Sequence, residues 1–306
     1  MKILLTGASG MVGKNILEHN LSCNHTFLTP NRFELNLLDS DSTYNYLLKY
    51  KPDFIIHAAG IVGGIQANMA EPVKFLTENM QMSLNIITLA RKLKVIPLMN
   101  ISSSCMYPRT VTNPISEEQI MQGPIETTNE GYALAKIAST RLCEYINSEN
   151  KIFLYKTVIP CNLYGRHDKF DTKHSHMLPA AIKKISDAKK NGLERIDVWG
   201  SGLARREFMY AGDFADFIFF AMQNFEYMPQ NINVGLGIDY TINEYYEVIS
   251  KIIDYKGTFF HDNTKPVGIM QKLIDTTKLS HFGWTHKTKL EDGIKLTLEF
   301  YLTTST

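Results

Sequence analysis

Tyr132 and Lys136 lie four residues apart in Tyr132-Ala133-Leu134-Ala135-Lys136, a stretch whose apolar spacing predicts a helix. An i, i+4 pair shares one helix face, a turn apart. A tyrosine hydroxyl keeps its proton until about pH 10, which makes it a reluctant acid–base catalyst near neutrality. A neighbouring ammonium favours the phenolate and lowers that value toward the working range. The pair is suited to moving one proton to or from an oxygen. Taken alone the spacing is common, and a helix tyrosine beside a surface lysine reads the same way.

Two further groups give the pair a context. Met99-Asn100-Ile101-Ser102-Ser103-Ser104-Cys105-Met106-Tyr107 runs from an apolar strand pattern into three serines. Hydroxyls at such a strand end lie where open α/β sheets bind ligands, and one of them can polarise a carbonyl. Thr6-Gly7-Ala8-Ser9-Gly10-Met11-Val12-Gly13 follows a short apolar run and opens a helical pattern. Glycines at this spacing let the backbone turn tightly and approach a pyrophosphate seated at the helix N-terminus. The pattern, GxxGxxG, is a variant of the dinucleotide fingerprint, so Gly7, Ser9, Gly10, Met11, Val12 and Gly13 are candidate cofactor contacts. The next strand tip, Leu28-Thr29-Pro30-Asn31-Arg32, has no acid to bond an adenosine ribose. Arg32 suits a 2′-phosphate instead, which favours NADPH. Asp39 is a candidate adenine-side contact, and Ala58 and Ala59 are small enough for a cofactor to pass closely. A dinucleotide turn, a serine and a Tyr–Lys pair, in that order, point to hydride transfer at a carbonyl.

These groups need a scaffold that brings residues 6–13, 57–60, 99–107 and 132–136 to one edge. Apolar runs at 3–6, 26–29, 54–57, 96–102 and 153–159 alternate with helical patterns at 13–19, Pro72–Lys92 and 132–147. Continuous β-rich runs between helices predict a parallel sheet covered on both faces. The fold class is α/β: a Rossmann-type doubly wound parallel sheet with a smaller C-terminal α/β substrate domain. After about Leu163 the rhythm loosens. Helical patterns at 177–191 and 210–223 mix with a short strand at 196–199. Thr241-Ile242-Asn243-Glu244 is a capping box opening a helix toward Asp254. No Gly/Ser-rich linker intervenes, so residues 1–162 and 163–306 are expected as closely packed dinucleotide and substrate domains.

The bulk numbers narrow the class. The chain has 306 residues, 44% hydrophobic and 21% charged, with a formal net charge of +1. That balance speaks against nucleic acid or a membrane surface as the main partner. Cys23, Cys105, Cys143 and Cys161 show no CxxC or metal-ligand spacing, and read as free thiols in a reducing compartment with no metal site. No apolar run approaches the roughly 20 residues that span a bilayer. A strand begins at Lys2, leaving no room for a signal peptide, so the cytoplasm is expected.

Together these motifs resemble the extended short-chain dehydrogenase/reductase family, and within it the GDP-L-fucose synthase branch. The likeness runs over nearly the whole chain through GMVG, ELNLLD, VGGI, SSCMYP, TNEGYALAKIA, NLYGRHD, SHMLPA, WGSG, REF, INVG and KPVG. SSCMYP with SHMLPA and WGSG is specific to the branch; the glycine turn is not. The resemblance implies NADPH-dependent C4 reduction of a GDP-linked 4-keto sugar with C3/C5 epimerisation. By position it makes Ser103, Tyr132 and Lys136 the catalytic set, with Lys136 also on the nicotinamide ribose. It makes Cys105 and His176 the epimerising groups, His174 being the nearest competitor of His176. The chemistry agrees with this. Protons beside a ketone are acidified, and a thiol and an imidazole titrate within about two units of neutrality. Asn162, Lys184, Trp199, Arg206 and Lys272 match substrate-side positions. Arg205 and Arg206 should point to opposite sides of an extended segment, and the match selects Arg206. Lys184 sits among Lys183, Lys189 and Lys190, which alone read as a solvated helix face. A homodimer is also implied, and the 132–147 helix carries Leu134, Ile137, Ala138, Leu142 and Tyr145 on more than one side.

The chain departs from the pattern in places. Ser104 and Cys105 offer no carboxylate pair of the kind the family's 4,6-dehydratases use, which disfavours dehydration. Ser9 replaces an arginine that contacts the 2′-phosphate, leaving NADH open. Val267, Ile269, Met270 and Gln271 replace an acid, a threonine–proline pair and an arginine, which predicts an altered sugar face. A second reading therefore keeps the fold but makes the chain a C4 reductase only. Its substrate would be a GDP-4-keto-heptose epimerised by a separate enzyme. A third, a non-catalytic NADP-binding sensor, is disfavoured by the intact Tyr132–Lys136 pair.

Overall fold

A computed structural model describes residues 1–171, 175–265 and 267–304. His174 and Pro266 lie outside the described residues. The first half is β1 (Lys2–Thr6), α1 (Met11–Glu18), β2 (Thr26–Leu28), α2 (Ser40–Tyr50), β3 (Phe54–His57), α3 (Ile65–Ala70), α4 (Pro72–Lys92), β4 (Leu98–Ile101), α5 (Glu130–Glu149) and β5 (Tyr155–Pro160). The second is β6 (Asn162–Tyr164), α6 (Met177–Lys190), β7 (Arg195–Trp199), β8 (Arg205–Arg206), β9 (Phe208–Tyr210), α7 (Ala211–Gln223), β10 (Asn231–Val234), β11 (Tyr240–Thr241), α8 (Ile242–Ile253), β12 (Thr258–Asp262), β13 (Gln271–Lys272), α9 (Thr277–Phe282) and α10 (Leu290–Thr304).

The main sheet is six-stranded, in the order β10-β5-β4-β3-β1-β2, with parallel pairings throughout. Its strands are apolar on both sides because both sides are covered. Ile3, Leu5, Ile56 and Met99 face a layer holding Ile16 of α1 and Phe214, Phe217 and Ile218 of α7. Leu4, Ile55 and Leu98 face Leu47 of α2, Ile86 and Ile87 of α4, and Cys143 and Ile146 of α5. The helices have local causes. Pro72 stands in the first turn of α4, where its missing N–H costs no hydrogen bond. Thr241 and Glu244 form both bonds of a capping box on α8. Chain order reverses between β1 and β3, and this opens a crevice beyond their C-terminal ends.

A second core gathers Tyr164, Leu178, Ile182, Ile185, Ile196, Phe208, Tyr245, Ile249 and Ile294 from α6, α8, α10 and the short strands. The chain does not divide cleanly at residue 162. β10 pairs in parallel with β5 at the sheet edge, and α7 packs against α1. The chain thus leaves the large sheet, returns over α7 and β10, and leaves again.

Candidate active site

The crevice holds one continuous cavity of about 640 Å³. Three glycines shape the turn beneath it for three different reasons. Gly7 has φ +73°, and a Cβ there would lie 2.7 Å from the Ala58 carbonyl oxygen. A Cβ on Gly13 would strike the Gly7 oxygen at 2.5 Å, so Gly13 serves helix-to-turn packing. Gly10 meets only the Gly7 oxygen at 3.4 Å, so its other face is open where N–H groups of α1 end. Gly7, Ser9, Gly10, Met11, Val12, Arg32, Ala58, Ala59 and Lys136 all line the cavity. Gly13 and Asp39 are not in its lining. Asp39 caps α2 instead: its Oδ1 accepts from the Asp41 and Ser42 N–H groups at 2.8 and 3.0 Å. A helix start needs such an acceptor, and the carboxylate is spent there.

Ser103, Tyr132 and Lys136 meet on the same wall. Lys136 is 4% exposed, and its Nζ donates to the Ile101 carbonyl at 2.9 Å, the last residue of β4. Burial holds its pKa down to about 8. The ammonium lies 5.7 Å from the Tyr132 ring centre. The Tyr132 phenol is pushed well above the ordinary tyrosine range by burial, with the Ser103 hydrogen bond opposing. The expected lowering by Lys136 does not govern this group, because desolvation dominates it. Tyr132 therefore rests as a phenol, the form that donates a proton.

Cys105 and His176 face the same cavity from the turn after β4 and from the residue preceding α6. Burial raises the Cys105 thiol, opposed by Lys272, by the Ser103 hydrogen bond and by Lys136. Burial lowers His176, helped by the charges of Lys272 and Lys169. Both rest neutral, so the thiol holds a proton to give and the imidazole a lone pair to take one, each transfer leaving a charge that the site must stabilise.

The substrate-side residues divide. Asn162 and Lys272 line the cavity, and Asn162 donates to the Glu207 carbonyl at 2.8 Å. Arg205 turns outward to Asp239 at 2.7 Å, whereas Arg206 turns inward and donates to the Val267 carbonyl at 3.1 Å. β13 alternates in step with β8. Gln271, opposite Arg205, also reaches Asp239, while Lys272, opposite Arg206, enters the cavity. The altered residues Val267, Ile269, Met270 and Gln271 are absent from the cavity lining, although the Val267 carbonyl accepts from Arg206. Lys184, Trp199 and Arg206 are not in the lining either. The Lys184 ammonium donates to the Asp197 carbonyl, and Trp199 is 39% exposed with Lys265 6.0 Å from its ring.

Other residues were missed. Asn79 clamps the bend after Gly60 by bonding both the N–H and the carbonyl of Ile61, at 2.7 and 3.1 Å. His57 is wedged between Thr6 and Ser83 at 2.9 and 3.2 Å. Burial, aided by the Lys136 charge, holds His57 down to about 3, so it is a neutral strut under the Ala58–Ala59 turn. Asn68, Asn129 and Asp168 line the cavity, each with one buried side-chain oxygen that has no partner among the described residues. An unpaired buried acceptor is costly. The NEG and NLYGRHD strings held two of these residues, but nothing in residue type or spacing marks an oxygen as unpaired.

Geometry of this kind defines a class, and the chain belongs to the NAD dependent epimerase/dehydratase family, which it matches over residues 3–235. It is 59% identical over 302 residues to the GDP-L-colitose synthase of Yersinia pseudotuberculosis, covering 99% of this chain and 98% of that one. It is 44% identical over 302 residues to a GDP-L-fucose synthase of Azorhizobium caulinodans, covering 99% and 96%. Among solved structures, a GDP-mannoheptose C4 reductase from Campylobacter jejuni with NADP bound superposes with TM-score 0.88 at 30% identity, covering 98% of each chain.

Proposed function

We propose that this protein reduces the C4 ketone of a GDP-linked 4-keto sugar with NADPH and exchanges protons on the carbons beside that ketone. The observation that carries the reading is the convergence of Ser103, Cys105, Tyr132, Lys136 and His176 on the cavity that also contains the glycine turn. The residues suit a dinucleotide: Gly10 leaves its outer face open, and the 29–32 segment presents Arg32 and no acid. NADPH, when bound, supplies the hydride. Tyr132 delivers the proton to the C4 oxygen, Ser103 hydrogen-bonds that oxygen, and Lys136 holds its charge behind the phenol. Cys105 and His176 handle protons at the adjacent carbons. The relative at 59% identity makes the 4-keto precursor of GDP-L-colitose the first substrate to try.

One incubation in heavy water tests both steps. Loss of NADPH absorbance with a GDP-4-keto sugar reports reduction, and deuterium beside C4 reports epimerisation. No NADPH oxidation with any such sugar refutes the enzyme reading. Reduction without deuterium favours a C4 reductase served by a separate epimerase; C4 reduction is the activity named for the Campylobacter relative.

The nucleotide-binding unit in this reading is residues 1–162 together with α7 and β10. A homodimer through α4 and α5 is part of it. These helices lie side by side and expose Val73, Leu84, Leu134 and Tyr145, at 72%, 37%, 42% and 62%. Sedimentation showing only monomer at micromolar concentration refutes that. Four unpaired cysteines suit a reducing compartment, the cytosol, and no described helix is long and apolar enough to cross a membrane.

A further inference from the structure

Glu207 stands between β8 and β9, 1% exposed, and the proposed chemistry makes no use of its carboxylate. Its Oε1 accepts from the Leu236 and Gly237 N–H groups at 2.6 and 2.9 Å, in the loop that leads from β10 to β11. Its Oε2 accepts from the Ile274 N–H at 3.1 Å, two residues past Lys272. Asn162, on the cavity wall, donates to the Glu207 carbonyl at 2.8 Å. Gly235 shows how closely the loop is fitted to this group. A Cβ there would stand 2.4 Å from Oε1 and 2.9 Å from Ile274 Cδ1. A buried carboxylate is costly, and an apolar side chain would fill the same space at less cost. What the carboxylate adds is two acceptor oxygens, each bonded to a different segment.

We propose that Glu207 is a positioning residue for the sugar nucleotide, its two oxygens fixing Arg206 and Lys272 at the spacing that grips the diphosphate. This rests on the GDP-sugar reading above. β8 and β13 pair over two residues only, with Lys272 opposite Arg206. So short a ladder cannot by itself hold two cations side by side. Burial lowers the Lys272 pKa and the Arg206 charge adds to this, while Cys105, Cys161 and Glu207 oppose it. Glu207 thus ties together a pair that repels itself until an anion arrives. Its backbone sets Arg206, the next residue, and its Oε2 sets the segment that carries Lys272.

The chemistry of the side chain offers a selective way to loosen this tie. Glu207→Gln keeps the shape but has one acceptor oxygen and an NH2 group. With the oxygen on Leu236 and Gly237, the NH2 meets the Ile274 N–H, donor against donor. Turned over, it meets the other two N–H groups instead. Either way one segment loses its acceptor. Gly235→Ala displaces Oε1 without altering its charge, and Asp213→Asn serves as the comparison. Asp213 is a second buried carboxylate, accepting from the Lys287 and Thr288 N–H groups at 3.2 and 2.9 Å and bonding neither β8 nor β13.

The test is steady-state reduction of a GDP-4-keto sugar, with NADPH binding by nucleotide fluorescence, in wild type and the three variants. Burial pushes Glu207 up to about 7, its N–H bonds opposing, so the assay is run at pH 8, where the carboxylate is ionised. Glu207→Gln should raise the KM for the sugar nucleotide by about tenfold, with kcat and the NADPH dissociation constant within about twofold. Gly235→Ala should raise KM in the same direction, and Asp213→Asn should leave it within about twofold. An unchanged KM in Glu207→Gln overturns the proposal, as does an equal rise in Asp213→Asn or a fall in kcat alone. If Glu207→Gln does not fold, Gly235→Ala decides; failure of both to fold makes the carboxylate a stability element and overturns the positioning role. Wild type that neither binds GDP nor oxidises NADPH with any GDP-4-keto sugar sinks the functional reading itself. Wild-type activity with no KM effect in the variants sinks only the role of Glu207.

Discussion

One half of the site hangs on long elements and the other on short ones. Tyr132 and Lys136 sit on a 20-residue helix, and the Ile101 carbonyl that holds Lys136 ends a fully buried strand. Arg206 and Lys272 sit on strands of two residues each, and His176 on the residue before α6. On a helix, periodicity sets which side chains share a face. On a two-residue strand, only tertiary contacts do. Glu207 supplies them, its carboxylate accepting from the N–H groups of Leu236, Gly237 and Ile274 and thereby tying β8 and β13 to the end of the large sheet. In the proposed reading, proton donation is thus built into the rigid scaffold, and recognition of the sugar nucleotide into a clamp assembled from distant pieces.

If that contrast holds, damage to the helix half should abolish chemistry while leaving binding intact. Tyr132→Phe removes the proton donor and keeps the ring, which packs against Phe75 with centroids 6.5 Å apart. NADPH oxidation should fall by about 10³, a typical contribution of a general acid, with the NADPH dissociation constant within about twofold. A loss below about tenfold would mean that another group protonates the C4 oxygen.

Cys105 stands between the halves, on the turn that follows β4 but within reach of the Lys272 charge. Cys105→Ser should cut deuterium exchange beside C4 by about a hundredfold while reduction falls far less. Equal losses in both would place Cys105 in the hydride step and erase the boundary between the halves.

Lys136 gives the helix half a pH signature. Its pKa is lowered, to about 8, so its ammonium is present below that value and lost above it. Turnover should therefore fall on the alkaline side with a midpoint near pH 8, moved upward if the bound sugar nucleotide adds negative charge nearby. Lys136→Arg, whatever its rate, should lack this limb, because a guanidinium stays charged past pH 12. An identical alkaline limb in the arginine protein would assign the titration to another group.

The same contrast explains what could be read without coordinates. α4 was legible as a helical pattern over Pro72–Lys92, and α8 from its capping box, because those signals are local. The return of β10 to the edge beside β5 was not, since a strand of four residues following α7 carries no sign of which sheet it joins. Asp39 misled for a related reason. An acid at a strand-to-helix junction looks alike whether it waits for a ligand or caps a helix, and only the 2.8 and 3.0 Å bonds to Asp41 and Ser42 decide. The partnerless oxygens of Asn68, Asn129 and Asp168 are likewise a product of tertiary packing that residue type and spacing do not show.

The smallest effect is the sharpest test of the clamp, because it concerns two adjacent arginines. Arg205 and Arg206 are adjacent in sequence; alternation sends them to opposite sides, and the family resemblance selected Arg206. Arg205 spends its guanidinium on Asp239, with Gln271 on the other oxygen of that carboxylate. Arg206 is held by backbone carbonyls and its pKa is lowered by burial; in the proposed reading it is the cation kept for the diphosphate. Arg206→Ala should raise the KM for the GDP-sugar by about tenfold or more, the value of a charge-assisted bond to phosphate, with kcat little changed. Arg205→Ala removes only a partly exposed ion pair and should leave KM within about twofold. If Arg205→Ala raises KM as much as Arg206→Ala, the strand pair works as one rigid unit and the alternation of β8 and β13 does not separate recognition from support.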